Sequence, residues 1–181
     1  NASAPVDVPT ITEDSTAPDA PFTPVLSAES DTGTSDSDGI TSEATPILSG
    51  TAEPDSTVTL TSDKDGVVGT VAADSAGNWS ITATTLVDGV HQLTVTATDA
   101  AGNISEASTA LEVTIDTTAP VLSAIANQSL IAGTGSGALA VILSDEITDA
   151  SSLTLTADSS DPAIIPLANL IVGGADANRS V

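Results

Sequence analysis

Short runs of alternating apolar and polar residues, each closed by turn-forming residues, fill the first two thirds of this chain. Leu93, Val95 and Ala97 alternate with threonines, and Leu111, Val113 and Ile115 keep the same period. So do Trp79, Ile81 and Ala83, and Val58 with Leu60. A period of two puts every second side chain on one face, the pattern of a strand with one dry and one wet side. Such runs are Pro24–Glu29, Thr45–Glu53, Ser56–Asp63, Gly66–Ala73, Asn78–Thr84, Gly89–Thr98 and Ser108–Asp116. Between them lie Asp31–Gly39, Pro54-Asp55, Lys64-Asp65, Asp74–Gly77, Leu86–Asp88 and Asp99–Glu106, rich in residues that favour turns. No stretch of useful length carries the period of a helix. The pattern predicts an all-β fold in which seven strands close into a two-sheet sandwich.

A repeat sets the organisation. Asp14-Ser-Thr-Ala-Pro18 recurs as Asp116-Thr-Thr-Ala-Pro120, with Ile11 and Val113 at equivalent places before it. The offset is about the length of one β-sandwich domain. Each Ala-Pro stiffens the chain, because proline fixes its own φ and biases its predecessor toward extended backbone. The reading is a linker and end of an upstream module at 1–18, a complete module at 19–119 and a second module at 120–181. The runs of the second module are Val121–Ala126, Leu139–Leu143, Ser151–Ala157 and Leu167–Val172, too few for a complete sandwich. It therefore reads as truncated, and the chain as a piece of a longer one. Asn1 opens a Pro-, Ser- and Thr-rich stretch with no basic n-region of a signal peptide.

Charge and composition remove whole classes of function. The 181 residues carry 25 Asp and Glu against 2 Lys and Arg, a net charge of −23. Neutralising phosphates takes Lys and Arg, so nucleic acid is excluded as a partner. An anionic membrane repels the chain, and no apolar run is long enough to span a bilayer. With no Cys there is no disulfide framework, thiol nucleophile or thiolate metal site. One His leaves no His-rich zinc site. Oxygen-liganded hard cations remain, calcium first among them. The core must be aliphatic, since the chain has one Trp, one Phe and no Tyr.

Several segments resemble bacterial immunoglobulin-like repeats of giant secreted Gram-negative adhesins. They are Asp31-Thr-Gly-Thr-Ser-Asp-Ser-Asp-Gly-Ile-Thr41, Pro46-Ile-Leu-Ser-Gly-Thr-Ala-Glu-Pro54 and Asp74-Ser-Ala-Gly-Asn-Trp79. Leu86-Val-Asp-Gly89, Thr96-Ala-Thr-Asp-Ala-Ala-Gly-Asn103 and Val113-Thr-Ile-Asp-Thr-Thr-Ala-Pro120 follow in the same order. The second module, through Asp145–Asp149, Ser151–Leu155 and Gly173–Ser180, resembles a cadherin-like or immunoglobulin-like repeat more weakly. The resemblance implies tandem immunoglobulin-like sandwiches, secreted or on the bacterial cell surface, acting as extenders often stiffened by calcium. It implies neighbouring modules of the same chain as partners, with any host or surface ligand met by other domains, and a monomer. The competing readings are a module that itself binds a glycan or protein, and an accessory repeat of a secreted hydrolase.

Strand parity sorts the carboxylates. With seven alternating strands, Asp14, Glu53, Asp55, Asp74 and the loop Asp99–Asn103 gather at the pole where the chain enters. Asp31, Asp36, Asp38, Asp63, Asp65, Asp88 and Asp116 gather where it leaves, facing Asp145, Glu146 and Asp149 of the second module. Such an anion cluster calls for a cation, and calcium accepts six to eight oxygens from flexible loops. The expected ligands are Asp31, Asp36, Asp38 and Asp116, completed by Asp145 or Glu146, with a second set of Asp14, Asp99 and Asn103 upstream. The Asp-x-Asp-Gly segments at 36–39 and 63–66 lack the later Glu and flanking helices of an EF-hand, and the second of them reads as a hairpin turn. Trp79 shares a face with Ile81 and Ala83 and reads as core, and His91 reads as a rim residue. No Gly-x-Ser-x-Gly elbow or aromatic-lined cleft points to catalysis, so no enzyme is expected.

Overall fold

The computed structural model describes residues 13–33, 35–131 and 133–181, which divide into a first unit ending at Ile115 and a second unit, Asp116–Val181. In the first unit a three-stranded sheet faces a five-stranded one. The smaller sheet orders β1 (Val25–Leu26), β3 (Ile47–Thr51) and β6 (Asn78–Thr82) as β1-β3-β6. The larger contains β2 (Ile40–Thr41), β4 (Thr57–Ser62), β5 (Gly66–Ala72), β7 (Gly89–Thr98) and β8 (Leu111–Ile115), in the order β2-β8-β7-β4-β5.

The alternating residues form the layer between the sheets. Leu48, Val58, Leu60, Leu93, Val95, Val113 and Ile115 are completely buried, and Trp79, Ile81 and Leu86 nearly so. Their threonine neighbours lie on the other faces, as a period of two requires. Gly69 lets the sheets close at their edge, where a Cβ on it would stand 2.3 Å from Cγ2 of Ile81. Beyond the β7–β8 ladder, hydroxyls take over: Ser105 and Ser108 accept from the amides of Ala97 and Val95 at 2.9 and 3.0 Å.

All seven expected runs contain strands, and there is an eighth strand between the first two. β2 pairs parallel to β8, Ile40 beside Thr114 and Thr41 beside Ile115. The first edge of the sandwich is thus shared by two short strands, β1 on one sheet and β2 on the other, and the segment between them crosses the gap. His91 also differs from expectation. It is fully buried, with Nδ1 2.9 Å from Ser62 Oγ and Nε2 2.7 Å from the carbonyl of Val87. A ring in phase with Leu93 follows Leu93 into the interior, and these two oxygens make its burial tolerable.

The second unit is thinner. Its sheet runs β11-β12-β10-β9, from β9 (Val121–Leu122), β10 (Ala140–Ser144), β11 (Gly173–Ala175) and β12 (Asn178–Ser180). The runs read as strands at Ser151–Ala157 and Leu167–Val172 are not strands, and the latter begins with a 3-10 turn at Leu167–Asn169. The β11–β12 hairpin appears instead, turning at Asp176 with φ +49°.

Candidate metal centre

Registers place the loops of the first unit at two poles. Thr51 pairs with Asn78 and Thr57 with both Ala72 and Thr98, so the β3–β4, β5–β6 and β7–β8 loops share the pole where the chain enters. Gly89 pairs with Ile115, so the chain leaves at the opposite pole.

Asp31 stands where the chain crosses from β1 to β2. Its Oδ2 accepts the Gly39 amide at 3.1 Å, closing a loop that turns through Gly39 with φ +73°. Its Oδ1 has no partner, although the side chain is only 7% exposed. Around it, Thr41 Oγ1 donates to the Ser30 carbonyl at 2.5 Å, and Ser30 Oγ accepts the Ile47 amide at 2.9 Å. Asp38 caps its own turn through the Ile40 amide at 3.1 Å, and both Asp36 and Asp38 are exposed.

Asp116 belongs to the second unit, together with Asp145 and Glu146. Thr148 joins the first two: its hydroxyl donates to Asp116 Oδ2 at 2.5 Å, and its amide to Asp145 Oδ1 at 2.9 Å. Ile147 adds a second amide to that oxygen at 3.0 Å. These amides, Thr148 first, and then the Asp116 side chain hold the Asp145 carboxyl below its ordinary value. Asp145 Oδ2 is buried without a partner. Glu146 is exposed.

The upstream set also comes together. Asp99 Oδ1 accepts the amides of Ala101 and Asn103, both at 2.8 Å. The Asn103 side-chain amide donates to Asp99 Oδ2 at 2.8 Å and to the backbone carbonyl of Asp14 at 3.1 Å. The twin segment repeats the closure, with Asp74 Oδ1 taking the Ala76 and Asn78 amides at 2.8 Å. Both carboxyls titrate below their ordinary value, Asp99 chiefly through the Asn103 side chain and Asp74 chiefly through the Asn78 amide.

Among the described residues no three His, Asp or Glu side chains converge closely enough to hold a metal by themselves. A cation here would complete its shell from carbonyls, hydroxyls and water, which calcium accepts. The orphaned Asp31 Oδ1 fits that chemistry, since a buried carboxylate oxygen without a donor is costly unless a cation meets it. Sequence reasoning missed the hydroxyls of Ser30, Thr41 and Thr148. Isolated Ser and Thr carry no spacing signal in a chain so rich in both.

The family model for the bacterial Ig-like domain matches residues 17–117, more than half of the chain. The chain belongs to that family. The match covers the two-sheet sandwich and its entry segment, so the first unit is an immunoglobulin-like β-sandwich. Bacterial Ig-like domains are typically extracellular or surface modules with structural or binding roles, generally without catalytic machinery. No curated protein matches the sequence. No helix among the described residues is long and apolar enough to cross a membrane.

Proposed function

We propose that this bacterial Ig-like chain is a non-enzymatic spacer of a large surface adhesin, stiffened by calcium bound beside its inter-module joints. Its partners are neighbouring modules of the same polypeptide, and other domains carry the ligand-binding tip. The observation that carries the calcium reading is Asp31, a buried carboxylate with one oxygen satisfied by Gly39 and the other by nothing. Asp145 repeats the arrangement at the start of the second unit, with Asp116 as its neighbour. Asp31 holds calcium at the sheet crossing, and Asp116 with Asp145 holds it where the next unit begins. The ion supplies charge neutralisation and a shell of six to eight oxygens that ties loops together. Buried Trp79 and the near absence of other aromatics favour a spacer over a grasping surface, since binding hot spots are enriched in Trp, Tyr and Arg.

Calcium that binds only the folded chain raises its stability by ~2.7 kcal/mol at a concentration about 100-fold above its dissociation constant. Thermal melting in calcium and in EDTA should therefore differ, and Asp31→Asn should remove the increment belonging to the first unit. Identical melting temperatures and identical small-angle scattering lengths in calcium and EDTA refute the calcium reading and leave the spacer reading standing.

A further inference from the structure

The segment that leads into the first unit packs against it at regular intervals. Pro18, Pro21 and Pro24 are all buried, while Asp19, Phe22 and Val25 are exposed, Phe22 at 78% and Val25 at 60%. A three-residue period of burial is that of a polyproline II helix, which has three residues per turn. One edge of the segment thus packs down while the only Phe of the chain is turned outward. Asp19–Phe22 and Thr51–Pro54 face each other across a groove of about 300 Å³.

At the start of the segment the Asp14 carbonyl is held by the Asn103 side-chain amide at 3.1 Å. The comparison with Asn78 isolates this contact. Both asparagines close the same Asp-x-Ala-Gly-Asn turn, and the bonds of the Asn78 amide go to the Asp74 carboxylate, at 3.2 and 3.4 Å. The Asn103 amide serves Asp99 and also reaches out to the incoming chain.

We infer that residues 14–24 are a docked strap, pinned by Asn103 at one end and by three buried prolines along its length, which fixes the entry direction of the chain without a metal. Prolines are restricted before docking, so the strap loses little backbone freedom when it seats. The Asn103 N–H groups occupy the Asp14 carbonyl and Asp99 Oδ2, so two oxygens at this pole already have donors. The strap is independent of calcium at Asp31, so the two ends of the sandwich respond differently to chelation.

The chain has no cysteine, which makes site-directed spin labelling direct. Nitroxides on Ser15→Cys and Ser80→Cys, both exposed positions, report the strap against the smaller sheet. In EDTA the distance distribution between them is expected to be narrow and unchanged by added calcium. Asn103→Ala, and separately Pro18→Ser with Pro21→Ser, should broaden it about twofold, as a proline-stiffened segment becomes a flexible one. Circular dichroism confirms that each variant is folded, and Asn103→Ala, at a half-buried loop position outside the core, serves if the proline variant is not. A distribution that is broad in EDTA and narrows only with calcium overturns the inference, as does a width that neither variant changes. Neither result bears on Asp31, whose calcium response is read by melting.

Discussion

The chain contains two copies of Asp-x-Thr-Ala-Pro, and the two do different things. In the first, Asp14 is caught through its carbonyl by Asn103 and Pro18 is buried. In the second, Asp116 turns its carboxylate to Thr148 and Pro120 is exposed. Prolines at 21 and 24 continue the first copy's period, whereas Ser123 and Ala126 stand at the matching places in the second. The units that follow differ in the same sense. The first buries a continuous aliphatic layer with Trp79 in it. The second buries Val141 and Leu143 while Leu130, Ile131, Ile164 and Ile171 remain at least half exposed. Apolar content alone does not make a core. The first unit has several strands of five to ten residues whose alternation aims at one shared layer, whereas the second has only β10 of that length, beside strands of two and three residues.

The sharpest way to break this contrast is truncation of one aliphatic side chain in each unit. Leu60→Ala, in the completely buried layer, should cost about 2–5 kcal/mol in urea unfolding, while Ile164→Ala should stay within about 0.5 kcal/mol. Equal costs would mean that the second unit has a core of its own. Next comes calcium: Asp31→Asn should lose the melting increment of the first unit, and Asp99→Asn, whose oxygens are already occupied, should keep it. The buried polar groups give a somewhat smaller effect. His91→Leu leaves Ser62 Oγ and the Val87 carbonyl without the ring and should lower stability by about 1–3 kcal/mol at neutral pH. No change would show that these groups find other partners.

Acid provides the smallest effect. The Asp74 and Asp99 carboxyls titrate below their ordinary 3.8 when folded. The stability they contribute is therefore complete above the unfolded value and lost as pH falls through the lowered folded one. Asp74→Asn combined with Asp99→Asn should flatten the pH dependence of melting below about pH 4. An unchanged slope would assign the acid sensitivity to other carboxylates.

The strands that carry period two were legible because burial imposes that period on every inward residue from Val58 to Ile115. β2 was not, since a two-residue strand has no period. Its place is fixed by the Asp31 carboxylate and by the parallel partner β8. The hairpin at Gly173–Ser180 escaped for a related reason, being too short and polar to show alternation. At the candidate site, the grouping of Asp14 with Asp99 and Asn103 was legible from strand parity. What each oxygen binds was not, because that depends on amide directions in loops. Asp116 shows this most clearly: it follows β8 at the exit pole, as parity predicts, while the partners of its carboxylate, Thr118 and Thr148, carried no sequence signal.

The splitting of the first edge between β1 and β2 has a mechanical consequence. The chain enters at one pole and leaves from β8 at the other, so tension between its ends runs along the strands. Ladder hydrogen bonds lie roughly across that direction in antiparallel pairs and are loaded together in shear. Because β1 grips β3 while β2 grips β8, a pull on the entering chain meets two ladders on opposite sheets in succession. The loop held by Asp31 lies between them, and Thr41 of β2 is tied straight to the Ser30 carbonyl, so this crossing couples the two ladders.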